Sequence, residues 1–90
     1  MAWTIRFSKR SDKELRKLDR PMAQRILREL EEVAALDDPR SRGKGLSGNL
    51  AGLWRYRVGD YRVVCELDDG VMVVLVVDVA HRSTVYRSRS

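Results

Sequence analysis

Ninety residues make one domain with one small core, over residues 1–90, and leave no room for a second. A single cysteine, Cys65, and a single histidine, His81, exclude an internal disulfide and a Cys/His zinc site, so neither metal nor cofactor is expected. No run of about 20 apolar residues and no signal-peptide core point to a cytoplasmic chain without membrane association, and 18 Lys and Arg against 13 Asp and Glu favour a polyanionic partner.

Trp3 to Phe7 alternates as a first strand. Ser8 and Ser11 are both N-cap residues in type, and Ser11-Asp12-Lys13-Glu14 has the form of a capping box, so a helix is expected to begin between Lys9 and Asp12 with Leu15 and Leu18 inward. Asp19-Arg20-Pro21 breaks the chain and restarts it, with Pro21 in the first turn of a second helix. Met22, Ile26, Leu30 and Val33 share one helical face with Leu27 and Ala34, and the pattern stops at Asp37-Asp38-Pro39. Arg40 to Gly52 is rich in Gly, Ser and Arg without apolar period, so it reads as an exposed connection. Its glycines let backbone approach another surface, and Lys44 is the candidate binding residue there.

Leu53-Trp54-Arg55-Tyr56-Arg57-Val58 and Tyr61-Arg62-Val63-Val64 flank Gly59-Asp60, a two-residue hairpin turn in which Gly supplies positive φ. Val58 then faces Tyr61 and Arg57 faces Arg62, with Arg55 on the same side as Arg57. Like charges directly opposed destabilise a strand pair by up to about 1 kcal/mol. A sheet that keeps three guanidiniums together has an anion to hold, and a phosphate backbone suits them.

Asp69-Gly70 is a second turn signal, followed by the nearly continuous apolar run Val71 to Val79, which reads as a central strand buried on both faces. A two-residue turn pairs Leu67 with Met72, Cys65 with Val74 and Arg62 with Val77. Trp54, Tyr56, Val58, Tyr61, Val63, Cys65, Leu67, Met72, Val74 and Val76 then share the helix-covered face. Arg55, Arg57, Arg62, Val64 and Glu66 lie opposite, with Val73, Leu75 and Val77 alongside. The chain leaves the last strand beside Gly59-Asp60 and delivers His81 and Arg82 to the corner of the arginines. The expected fold is α+β: a strand, a helical hairpin, then a three-stranded meander, forming one four-stranded, mainly antiparallel sheet with helices on one face and a short C-terminal helical turn.

Ser8-Lys9-Arg10-Ser11-Asp12-Lys13-Glu14-Leu15, then Leu53 to Arg62, then Val79-Ala80-His81-Arg82-Ser83-Thr84-Val85-Tyr86-Arg87, in this order and spacing, resemble the RelE toxins of the RelE/ParE superfamily over essentially the whole chain. The resemblance implies a metal-independent, ribosome-dependent endoribonuclease that cuts messenger RNA in the decoding site by attack of the ribose 2′-hydroxyl on the adjacent phosphate. It also implies messenger RNA and ribosomal RNA of the 70S ribosome as partners, and a RelB-like antitoxin that forms a hetero-oligomer with the toxin. A ParE-like inhibitor of DNA gyrase that does not cut nucleic acid is the alternative. The family's basic pair matches Arg55 and Arg57, its third-strand arginine Arg62, its arginine after the last strand Arg82, and its base-stacking tyrosine Tyr86. His81 departs from the family pattern, in which this position is not always histidine.

Cleavage by an internal 2′-hydroxyl needs a proton acceptor, a donor to the leaving oxygen and positive charge on the phosphorane. Arg57 and Arg62 suit the last of these tasks, but an arginine with pKa above about 12 is a poor base. His81, with an ordinary pKa of about 6.5, suits acid–base work, or else is an exposed histidine at a strand end. Tyr86 either stacks on a codon base or anchors the tail. Arg87 either contacts ribosomal RNA or solvates the terminus.

Overall fold

A computed structural model describes residues 3–82; the expected C-terminal helical turn, with Tyr86 and Arg87, lies outside them. The elements run β1 (Thr4–Phe7), α1 (Lys9–Arg16), α2 (Arg20–Ala35), β2 (Lys44–Gly45), β3 (Leu53–Val58), β4 (Tyr61–Asp68) and β5 (Val73–His81). They form one five-stranded sheet in the order β1-β5-β4-β3-β2. β1 is parallel to β5 and the other pairings are antiparallel. The α+β class, the helical hairpin and the meander are as expected. The strand count is not, because Lys44–Gly45, inside the segment read as an exposed connection, pairs with Arg55 and Trp54.

The core lies between α2 and one sheet face. Ile26, Leu30, Val33 and Ala34 of α2 meet Tyr56, Val58, Val63, Cys65, Val74, Val76 and Val79, with Trp3 closing one end. Leu27 is exposed instead of buried, since the sheet reaches only the Ile26/Leu30/Val33 stripe of the helix. Among the described residues no helix is long and apolar enough to cross a membrane.

Two features of β5 depart from the regular strand read in the sequence. The hairpin from β4 spans four residues instead of two, so Leu67 pairs with Val74 and not with Met72. The Gly70 N–H bonds the Asp68 carboxylate at 2.9 Å, and Met72 takes a positive φ of 55° while its carbonyl accepts the Thr4 N–H at 2.9 Å. β5 therefore begins at Val73, where β1 joins it. Further along, Cys65 faces Val76 while Val64 faces Asp78, so Val77 is an extra residue, a β-bulge. The bulge exchanges the faces of everything after it. Val79 turns into the core, and Asp78 and Ala80 turn to the arginine face, where Ala80 and not Val77 stands opposite Arg62.

The bulge occurs where β1 has ended and α1 covers the edge of β5. Ser8 is the N-cap, its Oγ accepting the Ser11 N–H at 3.1 Å, so the Ser11–Glu14 pair is not a capping box. Both side chains serve the sheet edge instead. Ser11, fully buried, donates its hydroxyl to the Val76 carbonyl at 2.7 Å, and Glu14 Oε1 accepts the Val79 N–H at 2.8 Å. The Val76 carbonyl, which also accepts the Ser8 N–H at 2.9 Å, gains a second donor, and the Val79 N–H beyond the end of β1 gains an acceptor. Arg10 Nε stands 3.4 Å from Glu14 Oε2 and 3.3 Å from Asp78 Oδ1, tying the bulge to the helix.

Burial and the neighbouring Glu14 raise the Asp78 carboxyl above its ordinary pKa, against the opposing pull of Arg10 and Arg62. The folded protein thus keeps this proton to higher pH than the unfolded chain, so the group's contribution to stability declines as pH rises through the raised value. Asp78→Asn removes that ionisation. Thermal melts from about pH 3 to about pH 7 should show the variant gaining on the parent as pH rises; a constant or narrowing gap contradicts the assignment.

Candidate functional site

The Gly59-Asp60 turn forms as the sequence predicts, with Gly59 at φ 57°, Val58 opposite Tyr61 and Arg57 opposite Arg62. Arg55 stands opposite Val64, and Lys44 stands opposite Arg55 on the far side. Strand alternation and register therefore bring Lys44, Arg55, Arg57 and Arg62 onto the face away from α2, three strands wide.

Lys44 owes its position to a loop held at several points. Trp54 Nε1 donates to the Arg42 carbonyl at 2.7 Å, and the buried Tyr56 hydroxyl donates to the Pro39 carbonyl at 2.8 Å. Burial pushes that phenol well above its ordinary pKa, so it remains a donor. Arg40 grips the Asp69 carboxylate with two bonds of 3.0 and 2.9 Å, and Arg42 reaches Glu29 and Glu32 on α2. Gly43, at φ 79°, packs so closely on the Arg55 carbonyl and the Tyr56 and Trp54 rings that a Cβ has no space. Absence of an apolar period hid this segment in the sequence. The signal that was available lay in its partners, because a buried Trp or Tyr has to place its polar end on something.

The opposed arginines are accommodated by facing different neighbours. Arg62 Nε is buried with no hydrogen-bond partner among the described residues, and its charge reaches Asp78 on the β5 side. Arg57 is exposed and lines a cleft with Arg25 and Arg28 on the α2 side. Among the described residues neither Arg57 nor Arg62 makes an ion pair, whereas Arg10, Arg16, Arg40 and Arg42 all do.

His81 and Arg82 arrive at the hairpin end as expected, but by a different register. Tyr61 faces His81, and Arg82 donates its N–H to the Asp60 carbonyl at 2.9 Å. A regular strand continuing from Val77 puts His81 on the arginine face. The bulge puts it on Tyr61's face, where the two rings meet edge to face, 5.3 Å between centroids at 87°. The structure thus brings Lys44, Arg55, Arg57 and Arg62 together, sets Arg82 beside the turn, and places His81 at the same end on the opposite face. Sequence reasoning missed Asp78, the carboxyl the bulge turns toward Arg62, because a regular strand buries it.

Two arginine forks on an open face suit the non-bridging oxygens of a phosphodiester, neutralising charge without donating protons to it. Among the described residues no three His, Cys, Asp or Glu side chains converge as metal ligands do. Cys65 lies buried on the other face, and desolvation pushes its thiol up to about 12, which keeps it unreactive.

Comparison with known proteins agrees with this architecture. The family model for the ParE toxin of type II toxin-antitoxin systems (parDE) matches residues 5–86. The toxin RelG of Mycobacterium tuberculosis is 36% identical over 90 residues, covering 97% of this chain and 99% of RelG. Among solved structures, a mutant of E. coli RelE in the free state superposes with a TM-score of 0.77 at 30% identity, over 97% of this chain and 93% of that one. The RelBE2 toxin-antitoxin complex of M. tuberculosis gives a TM-score of 0.70 at 34% identity, over 92% of this chain and 94% of that one. Matched along nearly its full length in sequence and in fold, the chain belongs to the RelE/ParE superfamily of toxins from type II toxin-antitoxin systems.

Proposed function

We propose that this toxin is a ribosome-dependent endoribonuclease, cutting messenger RNA in the decoding site by attack of a ribose 2′-hydroxyl on the adjacent phosphate. The observation that carries the reading is the pair Arg57 and Arg62, directly opposed, without ion-pair partners among the described residues, on a face that also holds Lys44 and Arg55. The likeness to the RelG and RelE toxins supports it. Arg57 and Arg62 hold the scissile phosphate and stabilise the extra negative charge of the phosphorane, Arg82 adds a guanidinium from beside the turn, and Arg55 and Lys44 position the flanking backbone. Tyr86, outside the described residues, is assigned base stacking from the family match alone, and Arg87, also outside them, RNA contact from the basic character of the tail. A RelB-like antitoxin, as in the solved complexes of relatives, forms the hetero-oligomer and silences the site. Ribosomes place the activity in the cytoplasm.

Primer extension on a message translated in a purified 70S system tests this. Codon-phased cuts should appear only with ribosomes, and Arg62→Ala should lower single-turnover cleavage by about 10²–10³-fold. An intact message contradicts the reading. The match to the ParE model favours a second reading, inhibition of DNA gyrase; an intact message together with blocked supercoiling establishes that one.

His81 is given no proton transfer here, because its ring packs on Tyr61 across the sheet from Arg62. His81→Gln should cut within about threefold of the parent, whereas loss of a general acid or base costs about 10²–10⁴-fold. A loss in that larger range returns His81 to the chemistry.

A further inference from the structure

Beside the turn end of β3, between it and α2, lies a cleft of about 220 Å³ lined by Arg25, Arg28, Glu29, Glu32, Arg57 and Gly59 among others. The four α2 residues are spaced i, i+3, i+4, i+7 and so form one stripe of the helix. Its charges are unevenly spent. Arg42 occupies both acids, Nη1 standing 3.2 Å from Glu29 and 2.9 Å from Glu32, while Arg25, Arg28 and Arg57 make no ion pair among the described residues. The Arg25 guanidinium rests against the turn: its Nη1 and Nη2 lie 3.5 and 3.6 Å from where a Cβ on Gly59 would stand, ordinary van der Waals distances. β2 begins at Lys44 opposite Arg55, so the exposed Arg57 has no β2 partner and stands at the strand edge between the cleft and the arginine face.

We infer that this cleft is a second phosphate site, in which Arg25 and Arg28 with Arg57 hold an RNA phosphodiester and carry the RNA track from the arginine face around the edge of β3. The inference rests on the nuclease reading and extends it to a surface outside the cleavage site. Phosphate fits better than an acidic peptide segment. Past Arg55 the edge of β3 left unpaired by β2 is Tyr56–Val58, too short for strand addition, whereas three arginine forks that share Arg57 with the cleavage face match a backbone with an anion at every nucleotide. The phosphodiester belongs either to the message or to ribosomal RNA.

Fluorescence anisotropy with a labelled single-stranded RNA, and separately with vacant 70S ribosomes, over a salt series tests the site. The proteins compared are the parent, Arg25→Gln/Arg28→Gln and Arg25→Lys/Arg28→Lys. Both variants should melt within about 3 °C of the parent, since the residues are exposed. The glutamine variant should bind about tenfold more weakly, with the slope of log K against log salt shallower by about 0.7 for each phosphate lost, and the lysine variant should keep most of both. Loss on free RNA assigns the phosphate to the message; loss on ribosomes alone assigns it to ribosomal RNA; either supports the site. Unchanged affinity and slope in both arms, with codon-phased cutting intact, overturn the cleft and leave the nuclease reading standing. Weakened antitoxin binding with RNA binding intact overturns it in favour of an acidic protein segment. A parent protein that binds neither RNA nor ribosomes and cuts nothing overturns both.

Discussion

The architecture of the site depends on one extra residue, the Val77 bulge. Cys65 faces Val76 and Val64 faces Asp78, and every side chain after Val77 changes face as a result. Val79 becomes core, Asp78 stands on the side of Arg62, and His81 stands on the side of Tyr61. The bulge is held from outside the sheet. Ser11 bonds the Val76 carbonyl, Glu14 accepts the Val79 N–H, and Arg10 bridges Glu14 and Asp78. The first helix is therefore an edge cover whose polar residues fix how the last strand presents itself.

The hairpin poses the opposite problem, two like charges that its register forces together. The solution is lateral. Arg62 shares its face with Asp78 on β5 and Arg57 lines the α2 cleft, so the charges have different neighbourhoods and both stay without an ion-pair partner among the described residues. A fully neutralised pair suits folding better, and an unneutralised one suits phosphate. The loop from Pro39 to Lys44 makes a related compromise, since it is polar and Gly-containing yet pinned by Tyr56, Trp54, Asp69, Glu29 and Glu32, so that Lys44 reaches the same face.

What the sequence made legible was local. The Gly59-Asp60 turn determined the Arg57–Arg62 pairing correctly because a two-residue turn leaves no freedom of register. Asp69-Gly70 looked equivalent, but there the Asp68 carboxylate and the β1 contact at Met72 extend the loop, and both act from outside the dipeptide. The Val77 bulge had no Gly or Pro to mark it in the apolar run, and its one sign was Asp78, a carboxylate that a regular strand would bury. Ser11 and Glu14 were legible as a pair but assigned to the wrong backbone groups, since a capping box and an edge cover use the same residue types. The strand at Lys44–Gly45 is two residues long and exists only through tertiary contacts, which periodicity cannot register. For the site itself, Lys44, Arg55, Arg57 and Arg62 followed from alternation and register, whereas Asp78 and the α2 stripe needed the bulge and the packing of α2 to be known.

Cross-strand NOEs in the isotopically labelled protein test the central claim, the bulged register of β4 against β5, most directly. Val63 should show contacts to Val79, and Leu67 to Val74, with Val77 unpaired. Contacts from Val63 to Val76 and from Leu67 to Met72 describe a regular strand with a two-residue turn, return His81 to the arginine face, and contradict the account.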